Sequence, residues 1–133
     1  MAEIEAINRR NVSSIENFFD SIFRGELSEN IFFGGLPNAI EKKWKDIVAI
    51  DISNVLENDG YGKCKAMFFL YAKCNAQGEK DVPTLHRLET TLNAIVLSSA
   101  DPYYHLSIGR RFGDYDAVND MFYNVVELNL IIT

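Results

Sequence analysis

The side chains capable of chemistry are few and scattered. The chain has two histidines, His86 and His105. Neither has the Cys/His or His-x-x-x-His spacing of a metal site, so each reads as a surface or interface histidine rather than a base. Asp51, Tyr104 and His105 could do acid–base work only if the fold brought them within hydrogen-bond reach. Asp114, Asp116 and Asp120 resemble the opening of a calcium loop. Such a loop needs Gly at its sixth position and a bidentate Glu at its twelfth, where this chain has Asn119 and Val125. The cluster therefore reads as a solvated acidic turn. Gly34-Gly35 lacks the Gly and Lys-Ser or Lys-Thr that complete a phosphate loop, and it does not sit between a strand and a helix start. Arg110-Arg111 is a tight arginine pair that could bind phosphate or meet acidic groups across a protein interface. These residue types imply no enzyme, no cofactor and no metal.

Composition narrows the partners. The chain has 133 residues, 13 Lys and Arg against 19 Asp and Glu, and a net charge of −6. That length suits a single domain, residues 1–133, with a core large enough to stand without staples. A protein that grips nucleic acid by neutralising phosphates needs clustered cations. The acidic balance therefore turns Arg110 and Arg111 toward a protein interface or solvent, although an acidic wall would let DNA slide past without sticking. No apolar run approaches the ~20 residues of a membrane helix. The N-terminus carries no basic segment followed by an apolar stretch, which implies synthesis in the cytoplasm and leaves the Asn11-Val12-Ser13 sequon without consequence. Cys64 and Cys74 lie ten residues apart in one expected strand. They would then be ~33 Å apart, beyond disulfide or shared-metal reach, and read as core thiols.

Two helices and four strands must carry these groups. Ile15, Phe18, Phe19, Ile22 and Phe23 form a helical stripe, so a first helix is expected over about 14–24, capped by Ser13 with Glu16 and stopped by Gly25. Residues 1–12, with Ile4 and Ile7, either extend that helix backwards or form a separate N-terminal arm. Strand alternation marks residues 47–53 and 62–74, joined through Asn58-Asp59-Gly60. In the second run Met67, Phe69 and Tyr71 face away from Phe68 and Leu70, and they need a cover from the helices or from a neighbouring subunit. A second helix follows, capped by Asp81 or Thr84 with Pro83 in its first turn and Leu85, Leu88, Leu92 and Ile95 or Val96 inward. Strands are expected over 103–111 and 121–132, with Phe112–Ala117 as a turn or protruding loop between them. The expected fold is α+β, in the order α-β-β-α-β-β: two helices on one face of a four-stranded antiparallel sheet made of two hairpins. Ile31–Pro37 is a greasy, glycine-broken loop. Phe32, Phe33 and Leu36 either present a contact surface or tuck under the sheet.

The order of these elements, their lengths, the alternation in Val48–Ser53, Lys63–Cys74 and Met121–Ile132, and the Phe33-Gly34-Gly35-Leu36-Pro37 loop are similar to the tail-terminator or tail-completion proteins of long-tailed bacteriophages and to related head-to-tail neck proteins. The resemblance covers Val12–Thr133 and includes no diagnostic residue motif. It implies a structural virion protein made in the host cytoplasm, whose copies form a ring, commonly a hexamer. Such a ring caps the tail tube, joins it to neck or connector proteins and lets DNA pass without specific binding. The interface would then use Phe32, Phe33, Leu36, Met67, Phe69, Tyr71, Arg110 and Arg111, with the 112–120 loop projecting to an axial face. A small-ligand or regulatory module with a pocket lined by Phe68, Leu70 and Tyr104 is the alternative, and an enzyme built on His105, Asp51 and Tyr104 is a further one.

Overall fold

A computed structural model describes residues 8–133. Among these residues, helices α1 (Val12–Phe23) and α2 (Val82–Ser98) accompany the strands β1 (Ile31–Phe33), β2 (Asp46–Ile52), β3 (Leu56–Asn58), β4 (Tyr61–Lys73), β5 (Tyr104–Asp116) and β6 (Met121–Ile132). The strands form one mixed sheet in the order β1-β2-β4-β6-β5, with β3 pairing β4 beyond the end of β2. All pairings are antiparallel except that of β1 with β2. The fold is α+β as expected, but the sheet has six strands rather than four.

Each helix forms where its apolar stripe meets a local start signal. In α1, Ile15, Phe19 and Phe23 recur every four residues and are fully buried. The cap is Asn11 rather than Ser13: its side chain accepts from the Ser14 N–H at 2.9 Å, which moves the helix start two residues upstream of the expected one. Gly25, at φ +87°, turns the chain away after the last turn. In α2, Asp81 caps by accepting from the Thr84 N–H and hydroxyl, and Pro83 occupies the first turn. Leu85, Leu88, Leu92 and Val96 face inward as the spacing predicted.

Both helices contribute to one core on one face of the sheet. The rings of Phe19 and Phe23 meet Phe68 edge-on at 5.3 and 5.0 Å, with Leu70, Val126, Leu128 and Ile132 packed in the same cluster. Ile4 and Ile7 lie outside the described residues. The residues just after them are tied to the sheet. Arg9 donates to the Thr133 carbonyl at 3.0 Å and stands 3.8 Å from the Tyr103 ring centroid, while Arg10 reaches Glu57 at 3.1 Å and the Gly60 carbonyl at 2.8 Å.

Three departures from the sequence reading have local causes. Ile31–Phe33 is a strand rather than part of a loop, pairing parallel with Val48–Ile50, and three residues are too few to display alternation. β3 arises because the chain bulges at residues 53–55 and then resumes pairing with β4. There the Ser53 hydroxyl accepts from the Lys65 N–H at 2.9 Å and keeps the ladder satisfied. The third strand outruns its expected end at residue 111. β5 continues to Asp116 through the expected Phe112–Ala117 turn, because a second bulge places Gly109 and Arg110 together opposite Glu127 and shifts the alternation by one. Gly113 is not a turn residue. It sits opposite Asn124, where a Cβ would come within 2.8 Å of the Asn124 Oδ1. The actual turn is Ala117–Asp120, with Asp120 at φ +51°.

Candidate interaction surface

The side of the sheet away from the helices holds most of the residues singled out in the sequence. Strand register arranges it in rows that cross the sheet. From the Thr133 end of the sheet toward the β5–β6 turn, the rows are Leu56–Lys63–Ile131–His105; Ser53–Lys65–Asn129–Ser107; Asp51–Met67–Glu127–Arg110; Ala49–Phe69–Val125–Phe112; and Ile47–Tyr71–Tyr123–Asp114. Alternation alone puts these residues on a common face.

One corner of this outer face is covered by the chain itself. After β1, Gly34 and Gly35 adopt φ of +90° and +150°, conformations that other residues rarely reach, and the following segment folds back over the sheet. Leu36, Ile40 and Trp44 of that segment pack with Phe32 on Ile47, Ala49, Tyr71 and Met121. The Trp44 and Phe32 rings stand 5.5 Å apart, and Lys73 Nζ donates to the Glu41 carbonyl at 2.5 Å. Tyr71 is 9% exposed, and burial followed by the nearby Asp116 charge pushes its hydroxyl up to about 12. The expected cover for Met67, Phe69 and Tyr71 was a helix or a neighbouring subunit. For Tyr71 it is this segment, while Met67 and Phe69 remain half-buried.

The expected interface residues therefore separate. Phe32 and Leu36 pack at the covered corner and Phe33 on the helix-side core, and all three stay partly exposed. Arg110 and Arg111 point to opposite faces. Arg110 reaches Glu127 at 3.2 Å on the outer face, and Arg111 pairs with Glu89 of α2. The acidic partners expected across an interface are supplied within the chain. The 112–120 stretch is the end of a hairpin rather than a loop.

Glu127 divides the outer face. It is 3% exposed, yet its carboxylate takes a contact from Lys65 Nζ at 3.1 Å on one side and from Arg110 on the other. The Lys65 hydrogen bond, with help from Arg110, holds its carboxyl below the ordinary 4.5 even though desolvation works the other way. On the far side of this belt from the cover, the face is open among the described residues. Leu56 is 69% exposed and Ile131 41%, and they form the apolar part of a shallow trough of about 610 Å³ together with Lys63, Lys65, His105 and Asn129. Sequence reading missed this end. Leu56 falls in the connection between the two expected strands 47–53 and 62–74, where no alternation marks it. The parity of Ile131 was the available signal.

The groups proposed for catalysis do not converge. Tyr104 lies on the helix side and donates to the Arg9 carbonyl at 3.0 Å, His105 on the outer face is 3.3 Å from the Thr133 hydroxyl, and Asp51 stands two rows away. Phe68 and Leu70, the expected pocket lining, are fully buried and packed. Among the described residues no group of three or more His, Cys, Asp or Glu side chains is gathered for a metal. Asp116 spends its carboxylate on the Val118 and Asn119 N–H groups and the Asn119 amide, and Asp120 accepts from the Tyr115 hydroxyl. Cys64 and Cys74 are both free thiols, and burial pushes Cys64 up to about 11. Among the described residues no helix is long and apolar enough to cross a membrane. No protein-family model matches the chain, and no curated protein matches it.

Proposed function

We propose that this protein is a structural subunit that assembles with copies of itself into a ring, of the kind that caps a phage tail tube or joins it to the neck. The observation that carries this reading is the unevenly covered outer face. The chain folds its own segment over one corner but leaves Leu56, Ile131 and Phe112 between 41% and 69% exposed on the rest, with Met67 and Phe69 half-covered. An apolar, partly charged face of this kind gains by being covered, and a ring of identical copies covers it by setting one patch against a different patch on the next copy. The net charge of −6 suits a ring through which DNA passes without sticking. The test is light scattering on the full chain, resolved by size and repeated from micromolar to several hundred micromolar. A closed particle of fixed mass, a whole multiple of 15.1 kDa, is the expected result. A 15.1 kDa species across the whole range overturns the reading.

A further inference from the structure

The two ends of the β5–β6 hairpin carry complementary chemistry. At its turn, Val118 is 92% exposed and is flanked by Asp114, Asp116 and Asp120. At its open end, the outer face offers exposed Leu56 and Ile131 flanked by Lys63 and Lys65, with His105 at the rim. The third row adds Arg110 to these cations and sets Asp51 and Glu127 against them, Glu127 being already engaged by Lys65 and Arg110. An otherwise acidic chain thus concentrates cations around one apolar trough and carboxylates around one apolar knob. Lys73, the cation of the outer face nearest the knob, is turned to the Glu41 carbonyl.

From His105 to Asp116 the strand spans about 35 Å at the usual rise per residue, so the knob cannot reach the trough of its own chain. We infer that the Ala117–Asp120 turn of one copy docks in the Leu56–Ile131 trough of the next, placing Val118 on the apolar floor and Asp114 beside Lys63. This rests on the self-assembly reading and names its contact. It is a head-to-tail union of two unlike patches, which repeats from copy to copy and closes when the rotation between copies closes. One carboxylate of the turn is fixed by its own hydrogen bonds to Val118 and Asn119. Asp116 is held below the ordinary carboxylate range, first by the Asn119 side-chain hydrogen bond. Opposed charges of this kind fix register and partner more than they add raw affinity, and the apolar knob supplies the buried contact.

A charge exchange tests the contact. Lys63→Glu and Asp114→Lys alter exposed side chains and leave the Asp116 cap and the Glu127 cluster in place. Each alone should weaken self-association at least tenfold in a light-scattering concentration series at low salt. Combined in one chain, they should restore it. Val118→Glu should weaken association whatever the state of Lys63. If the wild-type chain assembles and both single variants assemble equally well, this contact is wrong while the ring reading stands. If the single variants are impaired and the double variant is not rescued, the two residues do not face each other and the inference fails. A wild-type chain that stays monomeric removes both.

Discussion

Phe68 and Phe69 are neighbours in β4 with the same side chain, yet they occupy different environments. Phe68 points to the helices, is fully buried and meets two aromatic rings at 5.0 and 5.3 Å. Phe69 points the other way, is half-buried and meets Tyr123 at 6.1 Å. Composition and strand propensity cannot separate them. What separates them is what, among the described residues, crosses each face: two helices on one side, and on the other a short segment that covers only a corner. Folding covers one face in full and, among the described residues, the other only in part.

The sharpest way to break this contrast is to truncate both rings. Phe68→Ala should cost about 3–5 kcal/mol, because the well-packed cavity it leaves cannot collapse. Phe69→Ala should cost less than half as much, with urea denaturation as the measure. Equal losses would mean that the outer face is as much a core as the inner one. A smaller effect is expected from Trp44→Ala, about 1–2 kcal/mol for the apolar area it covers. Amide exchange should then rise across residues 34–45 and on β1 and β2, with the α1 and α2 amides unchanged. Faster exchange in the helices would show that the cover and the core are one cooperative unit.

The two faces also differ in how well they could be read from sequence. The helix-side core was legible almost residue by residue, because period 3.6 in Leu85, Leu88, Leu92 and Val96 and period two in Cys64–Leu70 and Val126–Ile132 all point to a single buried layer. The outer face was not, for three reasons. Three-residue strands such as β1 carry no period. The bulge at Gly109-Arg110 resets the parity of β5, so residues beyond it read as a turn. And the 34–45 cover is irregular chain, whose destination depends on the left-handed backbone at Gly34 and Gly35 rather than on any pattern. Arg110 and Arg111 show the cost. Adjacent in sequence, they looked like one basic patch, and strand geometry sends them to opposite sides, each to its own carboxylate.

Glu127 sharpens the contrast further, because it is the charge on which the outer face is organised. Its folded carboxyl titrates below the ordinary 4.5, so it contributes stability at higher pH that is lost as pH falls from about that value through the folded one. Glu127→Gln should therefore be less stable than wild type near neutrality. The gap should close on acidification below pH 4.5, as the wild-type carboxylate becomes protonated. Paired denaturation curves from pH 7 to pH 3 measure it. A gap that is constant with pH would mean that Lys65 and Arg110 stabilise the site by packing rather than by charge.

The smallest expected effect on stability belongs to Leu56→Ser with Ile131→Thr. Leu56 lies on a strand of three residues and is mostly in water, and threonine keeps the β-branching that suits residue 131 in β6. Neither substitution empties a packed cavity, so the folded monomer should stay within about 0.5 kcal/mol of wild type. Association should nevertheless weaken, since these two side chains are the apolar floor of the trough. That combination separates a surface made for a partner from one that only incompletely buries its own core. Leucine and isoleucine that matter to the monomer would lower the unfolding midpoint as Phe68→Ala does, and in that case the open end belongs to the core rather than to an interface. Held at wild-type stability with reduced particle mass, the variant instead assigns their exposure to assembly, and the difference between the two faces of β4 becomes a division of labour between folding and association.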